Sequence, residues 1–245
     1  GTKIWTTYAH YANKIFCLVR TRKDCKPQEG ITFLLIDMNT PGITVEPIIG
    51  LDMVREQNTV FFDNVRVPKS NRIGNENDGW TVAKYLLMFE RGGQEYAPAL
   101  YHGLNKVKAI AAEEYGSFGG RLCDDAAFMR KVNETEIDIT ALEFTENRIK
   151  SALGSGQNPG ALASMTKILG TELSQRVTEL AIEAVGVYGL PQQVDAIQPG
   201  ANLPFVGPEY ALTAMPRYLN TRATSIYGGS NEVQRGIIAK MVLGL

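Results

Sequence analysis

The chain has 245 residues and a mass of 26.9 kDa, which is enough for one large domain or two smaller ones. Its 25 basic and 26 acidic side chains give a formal net charge of -1 without a long block of one sign, which argues against a nucleic-acid interface or a basic membrane anchor. The three cysteines form no CxxC pair, so neither a disulfide framework nor a zinc site is indicated. The apolar runs are shorter than the about 20 residues of a membrane helix, and the first residues lack a signal-peptide layout. We therefore expect a soluble, intracellular protein.

The first part of the chain, to about residue 74, has the pattern of antiparallel β-structure. Stretches rich in β-branched and aromatic residues, such as ITFLLIDM, ITVEPIIG and NTVFFDNVRVP, alternate with turn signals. The apolar residues of VFFDNVRV cannot all share one face in strict alternation, so we expect a bulge or bend near Asp63 and Asn64. Pro68 should end this strand.

After the glycine-containing link IGNENDG the apolar spacing becomes helical, beginning with Trp80, Ala83 and Leu87, and Asp78 is the expected N-cap. Further helices are expected near residues 124–153, 161–184, 211–221 and 231–242. The sequence thus predicts an α+β protein, with a small antiparallel β domain at 1–77 followed by a C-terminal helix-bundle domain at 78–245.

Four segments, read in order, resemble the acyl-CoA dehydrogenase family. The first, GTKIWTTYAHYA, is similar to a family strand that lies against the flavin of bound FAD. The resemblance implies that Trp5 backs the isoalloxazine ring, that Thr7 reaches flavin N5, and that Thr6 contributes from its backbone. Taken alone, an aromatic residue and two threonines on a strand would be ordinary structural residues. The second segment, VFFDNVRVPKSNRIGNENDGW, resembles the link from the family's middle β domain to its C-terminal four-helix bundle.

The other two segments supply glycines. AIEAVGVYGL resembles a motif whose backbone approaches the FAD of a neighbouring subunit, which implies that role for Gly186 and Gly189, although glycine is also a common helix C-cap. SIYGGSNEVQRGIIAKMVLG resembles the family's near-terminal signature beside the flavin. The resemblance implies FAD contacts there for Gly228, Gly229, Ser230 and Glu232. Paired glycines before a helix N-terminus suit a close backbone approach, although Gly-Gly-Ser alone would be an ordinary N-cap.

The resemblance implies α,β-dehydrogenation of an acyl-CoA thioester to the trans-2-enoyl-CoA, with the β hydride going to flavin N5. The α proton requires a base. Many family members place a glutamate directly after the signature tyrosine, where this chain has Gly228; a minority place it on the first long helix before an arginine, and here that position is Glu90. Glu90 is therefore the predicted base, and Arg91 and Tyr227 are predicted substrate contacts. A solvated helix glutamate is the ordinary alternative.

No metal is expected, because His10 and His102 lack partners at metal or triad spacing. The family's N-terminal helical domain has no counterpart before Gly1, so the chain is expected to be incomplete at that end. Two other departures are Tyr115, where the family usually has an arginine for the FAD pyrophosphate, and Leu219–Asn220, where an Arg-Asp pair is usual. The second departure resembles large subunits of bacterial pimeloyl-CoA or steroid-type enzymes.

The resemblance implies a homotetramer or an α2β2 heterotetramer with a second dehydrogenase subunit, and an electron-transfer flavoprotein as acceptor. The expected compartment is the bacterial cytoplasm, or the mitochondrial matrix of a eukaryote. Two alternatives stay open: a noncatalytic structural subunit of a heteromeric enzyme, and a same-fold acyl-CoA oxidase or flavin monooxygenase.

Overall fold

The computed structural model describes residues 1–93, 95–117, 119–157 and 160–245, and for residues 88–93 it describes the backbone alone. The chain divides into two compact units, Gly1–Glu90 and Arg91–Leu245. The predicted change from β to helical structure coincides with the start of the first helix at Gly79, whereas the compact units divide within that helix. The domain boundary at residue 77 stays a prediction.

The first unit contains two antiparallel sheets of three strands each, with strand orders β1-β5-β4 and β2-β3-β6. The strands are β1 (Thr2–Lys3), β2 (Lys14–Arg20), β3 (Ile31–Asp37), β4 (Ile43–Ile48), β5 (Gln57–Phe62) and β6 (Arg72–Ile73). Alternating side chains of β5 point inward, so that Asn58 and Val60 are both fully buried. β1 and β4 flank β5 on its two sides, and β5 is therefore the central strand of its sheet.

The expected bend near Asp63 and Asn64 is present, because Asn64 has a left-handed φ of 49°. The expectation that this strand continues to Pro68 is wrong, since β5 ends at Phe62. The physical reason lies in the partner strand. Phe62 pairs with Ile43, the first residue of β4, so no ladder remains for the residues that follow. Pro68 instead precedes a short 3₁₀ turn at Lys69–Asn71.

The helices lie close to the predicted positions. They are α1 (Gly79–Gly93), α2 (Ala97–Glu113), α3 (Ala126–Gly154), α4 (Leu162–Val185), α5 (Ala214–Thr221) and α6 (Asn231–Ile238), and a π-helical turn at Ala239–Leu243 follows α6. Asp78 directly precedes α1, and its carboxylate accepts a hydrogen bond from the Thr81 hydroxyl at 2.6 Å. Asp125 caps α3 by accepting from the amides of Ala127 and Phe128.

In the second unit α4 is the central helix, because α2, α3, α5 and α6 all pack against it. The buried residues of α3 recur every three or four positions, which gives the helix one apolar face: Phe128, Val132, Thr135, Ile139, Leu142, Glu146 and Ile149. Leu104 and Val107 of α2 meet this face in the same core. Antiparallel sheets followed by packed helices confirm the predicted α+β class.

Across the described residues, no helix is both long enough and apolar enough to cross a lipid bilayer.

Candidate functional site

The Trp5–Thr7 segment connects β1 to the loop that follows it and is exposed. Trp5 has a left-handed φ of 60° and its side chain is 64% exposed, which is unusual for a bulky residue without glycine's freedom. The Thr7 hydroxyl lies 3.2 Å from the side-chain amide of Gln57. The segment thus presents an indole ring and a hydroxyl group at the surface of the first unit.

The backbone of Thr6 is already engaged within the protein. Its N–H donates to the Asn58 carbonyl at 2.9 Å, and its own carbonyl accepts from the Asn58 side-chain amide at 3.0 Å. The predicted backbone contact of Thr6 with the cofactor is therefore restricted to the second lone pair of its carbonyl oxygen. The structure also connects this segment to Asn58, a residue that the sequence reasoning did not single out.

The segment Tyr227–Ser230, called the glycine turn below, leads into α6. Gly228 and Gly229 have φ values of 67° and 84°, in the region that favours glycine. Ser230 is the N-cap of α6 and accepts a hydrogen bond from the Val233 amide at 3.4 Å. Within the described part of the chain, the amides of Gly228, Gly229 and Ser230 have no hydrogen-bond acceptor. The turn therefore offers three consecutive amide donors beside a helix N-terminus.

Glu232 lies in the first turn of α6. The pKa of its carboxyl group is lowered, first because its own backbone N–H donates to it and second because the Ser230 hydroxyl does so. The carboxylate is solvent-exposed and folds back toward the start of the helix. Ser230 and Glu232, both predicted FAD contacts, thus lie together at the start of α6, and their contact with the cofactor stays a prediction.

A buried lysine holds the glycine turn from behind. Lys167 of α4 is only 8% exposed, and its ammonium group donates to the carbonyl of Thr224 at 3.2 Å and to Oδ1 of Asn231 at 2.9 Å. The backbone N–H of Asn231 in turn donates to the Ser225 carbonyl at 2.9 Å, and this bond closes the loop that precedes α6. Burial lowers the pKa of Lys167, and the nearby Glu232 carboxylate partly opposes this shift.

Two glutamines reinforce the same region. Gln175 of α4 donates from its amide to the carbonyls of Thr221 and Arg222, both at 3.4 Å. Gln234 of α6 donates to the carbonyls of Gly228 and Gly229 at 3.5 and 3.4 Å. The Gln234 bonds engage the carbonyl oxygens of Gly228 and Gly229, whereas the amides of Gly228, Gly229 and Ser230 have no acceptor within the described part of the chain. Sequence reasoning missed this support, because a polar residue within an apolar helix carries no periodic signal.

Tyr96, at the start of α2, packs directly on α4. Its ring lies so close to Gly170 that a Cβ atom there would come within 3.0 Å of three ring carbons. Burial, the nearby Tyr227 phenol and the Glu146 carboxylate together raise the pKa of Tyr96 to about 12. Glu146 of α3 accepts from the amides of Tyr96 and Ala97 at 2.7 and 3.3 Å, so a buried carboxylate caps α2. The start of α2 is therefore fixed by both α3 and α4.

The two glycines of the AIEAVGVYGL segment differ in their surroundings. Gly186 ends α4 with φ 56° and ψ −128°, and a Cβ there would meet no atom within 4 Å. Gly189 is buried, and a Cβ there would contact Val185 at 3.0 Å and Ile182 at 3.4 Å. Gly186 thus has an open face toward the outside of the chain, whereas Gly189 serves internal packing. Cofactor contacts at both positions stay predictions.

Glu90 and Arg91 fall within the bounds of α1, but their side chains lie outside the described residues. Tyr227 is described; it is the first residue of the glycine turn and is 58% exposed. Tyr115 stands where the family usually has an arginine. The guanidinium group of Arg121 stacks on the Tyr115 ring, 4.3 Å from its centre. A cation is therefore present beside the position where the family usually has an arginine.

A groove of about 610 Å³ lies elsewhere, between α3 and α4. Charged side chains line it, and they include the ion pairs Lys131–Glu183 at 2.7 Å and Arg176–Asp138 at 2.5 Å. No predicted site residue lines this groove, so it is not the candidate site.

The glycine turn fits a flavin cofactor on the chain's own geometry. A Cβ on Gly228 would meet nothing within 4 Å, so the backbone there is open to a planar ligand. Its free amides can donate to the carbonyl or phosphate oxygens of such a ligand. Within the first unit, taken by itself, the Trp5 indole and the Thr7 hydroxyl are an aromatic and a polar group at the surface.

Comparison with known proteins points in one direction. Residues 77–243 match the family described as acyl-CoA dehydrogenase, C-terminal domain. The whole chain is 31% identical to acyl-CoA dehydrogenase IpdE1 of Mycobacterium tuberculosis, of which it covers 58%. It is 30% identical to acyl-CoA dehydrogenase FadE34 of the same organism, of which it covers 31%. Among solved structures, the ChsE4–ChsE5 complex from Mycobacterium tuberculosis contains a chain with a TM-score of 0.81 and 28% identity, of which 60% is covered. The chain thus spans about 60% or less of the length of these relatives.

Proposed function

The chain belongs to the acyl-CoA dehydrogenase family, and from that premise we propose that it forms the flavin-bearing part of an enzyme that oxidises an acyl-CoA thioester to the trans-2-enoyl-CoA. FAD is the cofactor of this family. The observation that carries the proposal is the glycine turn, whose three consecutive free amides and open Gly228 face suit a flavin and a thioester oxygen. The absence of a side chain at Gly228 also requires the base to come from another position.

Glu90 is the proposed base for the α proton of the thioester. Its neighbours Leu86 and Leu87 are half-buried on α1, and an apolar surrounding raises the pKa of a carboxyl group toward the working pH. The ionised carboxylate then takes the α proton as the β carbon loses its hydride. When bound, FAD supplies the acceptor for that hydride.

The negative charge that develops on the thioester oxygen needs a donor in fixed position. The Gly228 amide is such a donor, because the turn fixes its direction and no other group in the described chain accepts its proton. This role uses the backbone amide alone, so it does not depend on which side chain stands at this position. Arg91 and Tyr227 are the proposed contacts to the substrate, and an electron-transfer flavoprotein is the proposed electron acceptor.

An anaerobic titration tests this proposal. The holoenzyme, purified with any copurifying subunit, is mixed with a panel of acyl-CoA thioesters and the flavin absorption bands are followed. We expect bleaching with at least one thioester in the parent, and retained but unbleached flavin in Glu90→Gln, because the amide is isosteric and cannot accept the proton. Glu113→Gln, at an exposed position of α2, is the matched control and should bleach as the parent does.

The possible outcomes separate the alternatives. A parent complex without flavin would favour a noncatalytic structural subunit. Flavin that bleaches and is rapidly reoxidised with peroxide release would favour an oxidase. Normal bleaching in Glu90→Gln would reject Glu90 as the base while leaving the reaction in place.

We also propose a tetrameric assembly with a second dehydrogenase subunit. Support comes from the similarity to a chain of the ChsE4–ChsE5 complex and from Leu219 and Asn220, which depart from the usual Arg-Asp pair of the family. Light scattering of the purified protein, combined with denaturing electrophoresis, measures its mass and counts its chain types. A single chain type in a tetramer would favour the homotetramer.

A further inference from the structure

Asn58 is a buried asparagine whose side-chain amide has a partner at every hydrogen-bonding position. It is the second residue of β5 and is completely inaccessible to solvent. Its Nδ2 group donates to the carbonyls of Thr6 at 3.0 Å and Glu56 at 3.2 Å. Its Oδ1 atom lies 3.1 Å from Nε of Arg55, which donates to it, and 3.2 Å from Nδ1 of His10. Two donors and two acceptor positions are all the amide has, so its orientation is fixed.

The main chain of the same strand makes further bonds to the Trp5–Thr7 segment. The Thr6 amide donates to the Asn58 carbonyl at 2.9 Å, and the Tyr8 amide donates to the Glu56 carbonyl at 2.8 Å. Asn58 therefore holds Thr6 from two directions, through its backbone and through its side chain.

These bonds hold an otherwise unfavourable backbone. Trp5 and Tyr8 have φ values of 60° and 51°, and each such residue other than glycine is disfavoured by about 1 to 2 kcal/mol. Thr6 and Thr7 lie between them. A left-handed residue on each side of a short segment persists only where surrounding contacts determine it. The segment directs a bulky indole and a hydroxyl outward, which relaxation to an extended backbone would change.

We propose that Asn58 is a positioning residue for the flavin: it fixes the Thr6 backbone and thereby the directions of the Trp5 ring and the Thr7 hydroxyl. The inference rests on the proposed function, since it presumes FAD at this segment. His10 belongs to the same support, because its ring contacts the Asn58 amide and lies 4.0 Å from the Tyr11 ring, centre to centre.

The test compares Asn58→Asp with Asn13→Asp in the flavin-loaded complex. Aspartate keeps the size of asparagine but replaces the two N–H donors with an acceptor, so the carbonyls of Thr6 and Glu56 lose the donor that the Asn58 side chain supplies. Asn13 is exposed in the same unit and provides the matched control. FAD affinity, the visible circular dichroism of bound flavin and its reduction potential are measured, with far-ultraviolet dichroism as the folding check.

We expect Asn58→Asp to bind FAD about tenfold more weakly or worse, and to show altered flavin dichroism and a shifted potential. Asn13→Asp should match the parent in all three. An Asn58→Asp variant that folds and matches the control would overturn the inference. A parent that binds no FAD would instead reject the proposed function.

A milder variant decides the case in which Asn58→Asp does not fold. His10→Phe keeps the ring next to Tyr11 and removes only one partner of the Asn58 amide. The same change in flavin dichroism, at smaller amplitude, supports the inference. An unchanged flavin spectrum and affinity in His10→Phe would overturn it.

Discussion

The Trp5–Thr7 segment and the glycine turn are the two regions proposed to contact the cofactor, and different chemistry holds each in place. Behind the first is Asn58, a neutral amide with every hydrogen-bonding position filled. Behind the second is Lys167, a buried cation that donates to a carbonyl and to Asn231. A side-chain amide does not titrate in the ordinary pH range. A buried ammonium group carries a desolvation cost, and this cost is removed when the group loses its proton at high pH.

The two regions also use different residues at the positions where the backbone has a left-handed, positive φ. The glycine turn uses residues without a Cβ atom, at Gly228 and Gly229. The first segment has tryptophan at the left-handed position and therefore stores strain that its surroundings must offset. A side chain needed at a surface can thus be retained in an unfavourable conformation when a buried polar group fixes the neighbouring backbone.

The largest effect is expected at Gly170, on the helix that carries the support for the glycine turn. Gly170→Ala places a Cβ atom against the Tyr96 ring, which Glu146 holds in place through the start of α2. Overpacking of this kind should lower the free energy of unfolding by about 3 kcal/mol. Urea unfolding followed by circular dichroism measures the change.

A second substitution shows whether the ring is the cause. Tyr96→Leu in the Gly170→Ala background removes the clash and should recover part of the lost stability, so the two changes should not be additive. The control variant is Ala99→Gly, at an exposed position of α2. It measures the general effect on stability of one methyl group on a helix. A Gly170→Ala variant as stable as the parent would show that α4 and Tyr96 can separate freely.

The sequence predicted the helices well because their burial is periodic. On α3, Val132, Leu142 and Ile149 are all buried at helical spacing, and such a pattern can be read without knowing the partner helix, although Ile137, which the same pattern placed in phase, is exposed. The prediction that β5 continues beyond Phe62 was wrong because strand length, unlike helical periodicity, is not determined by the segment itself. Whether a strand continues depends on a neighbour, and the neighbour's first paired residue is Ile43.

The supports of the candidate site could not be predicted in the same way. Asn58 holds Thr6, which is 52 positions away, and Lys167 holds Asn231, which is 64 positions away. A single polar residue in a strand or helix has no periodic signal, and its burial depends on partners that only the fold assembles. The one available hint was an asparagine inside a β-rich stretch, where that residue is uncommon. The glycine turn, in contrast, was readable from its sequence motif.

The second prediction tests the cation behind the glycine turn. Lys167→Met keeps the length of the side chain but removes its two hydrogen bonds, leaving the Thr224 carbonyl without this donor. Near neutral pH the loss should be about 1 kcal/mol, since the variant also avoids burying a charge. Hydrogen exchange at the Asn231 amide, which bonds to Ser225, should quicken.

The pH dependence of this loss has a definite sign. Burial lowers the folded-state pKa of Lys167 below its usual 10.5. Between the lowered value and 10.5, the unfolded chain keeps a proton that the folded chain has released, so the Lys167 contribution to stability rises with pH in that window. The deficit of Lys167→Met should therefore be larger at about pH 10 than at neutral pH. Lys106→Met, at an exposed position, should show no such trend, and an equal deficit at both pH values would contradict the prediction.

The smallest effect concerns the backbone strain at Trp5. Trp5→Gly and Trp5→Ala remove the same exposed ring, but only glycine relieves the left-handed φ of 60°. The glycine variant should therefore be more stable than the alanine variant by about 0.5 kcal/mol, because the greater entropy of glycine in the unfolded chain offsets part of the strain relief; urea unfolding of the apoprotein measures the difference. The same pair at Thr2, in β1, should give the opposite order, because a paired strand position favours a side chain over glycine. At Gly228, where an added Cβ would meet no atom within 4 Å, Gly228→Ala should likewise lose about 0.5 kcal/mol through the strain of the left-handed backbone. If alanine at position 5 proved as stable as glycine, Trp5 would store no strain, and the two regions would differ only in the charge of the group behind them.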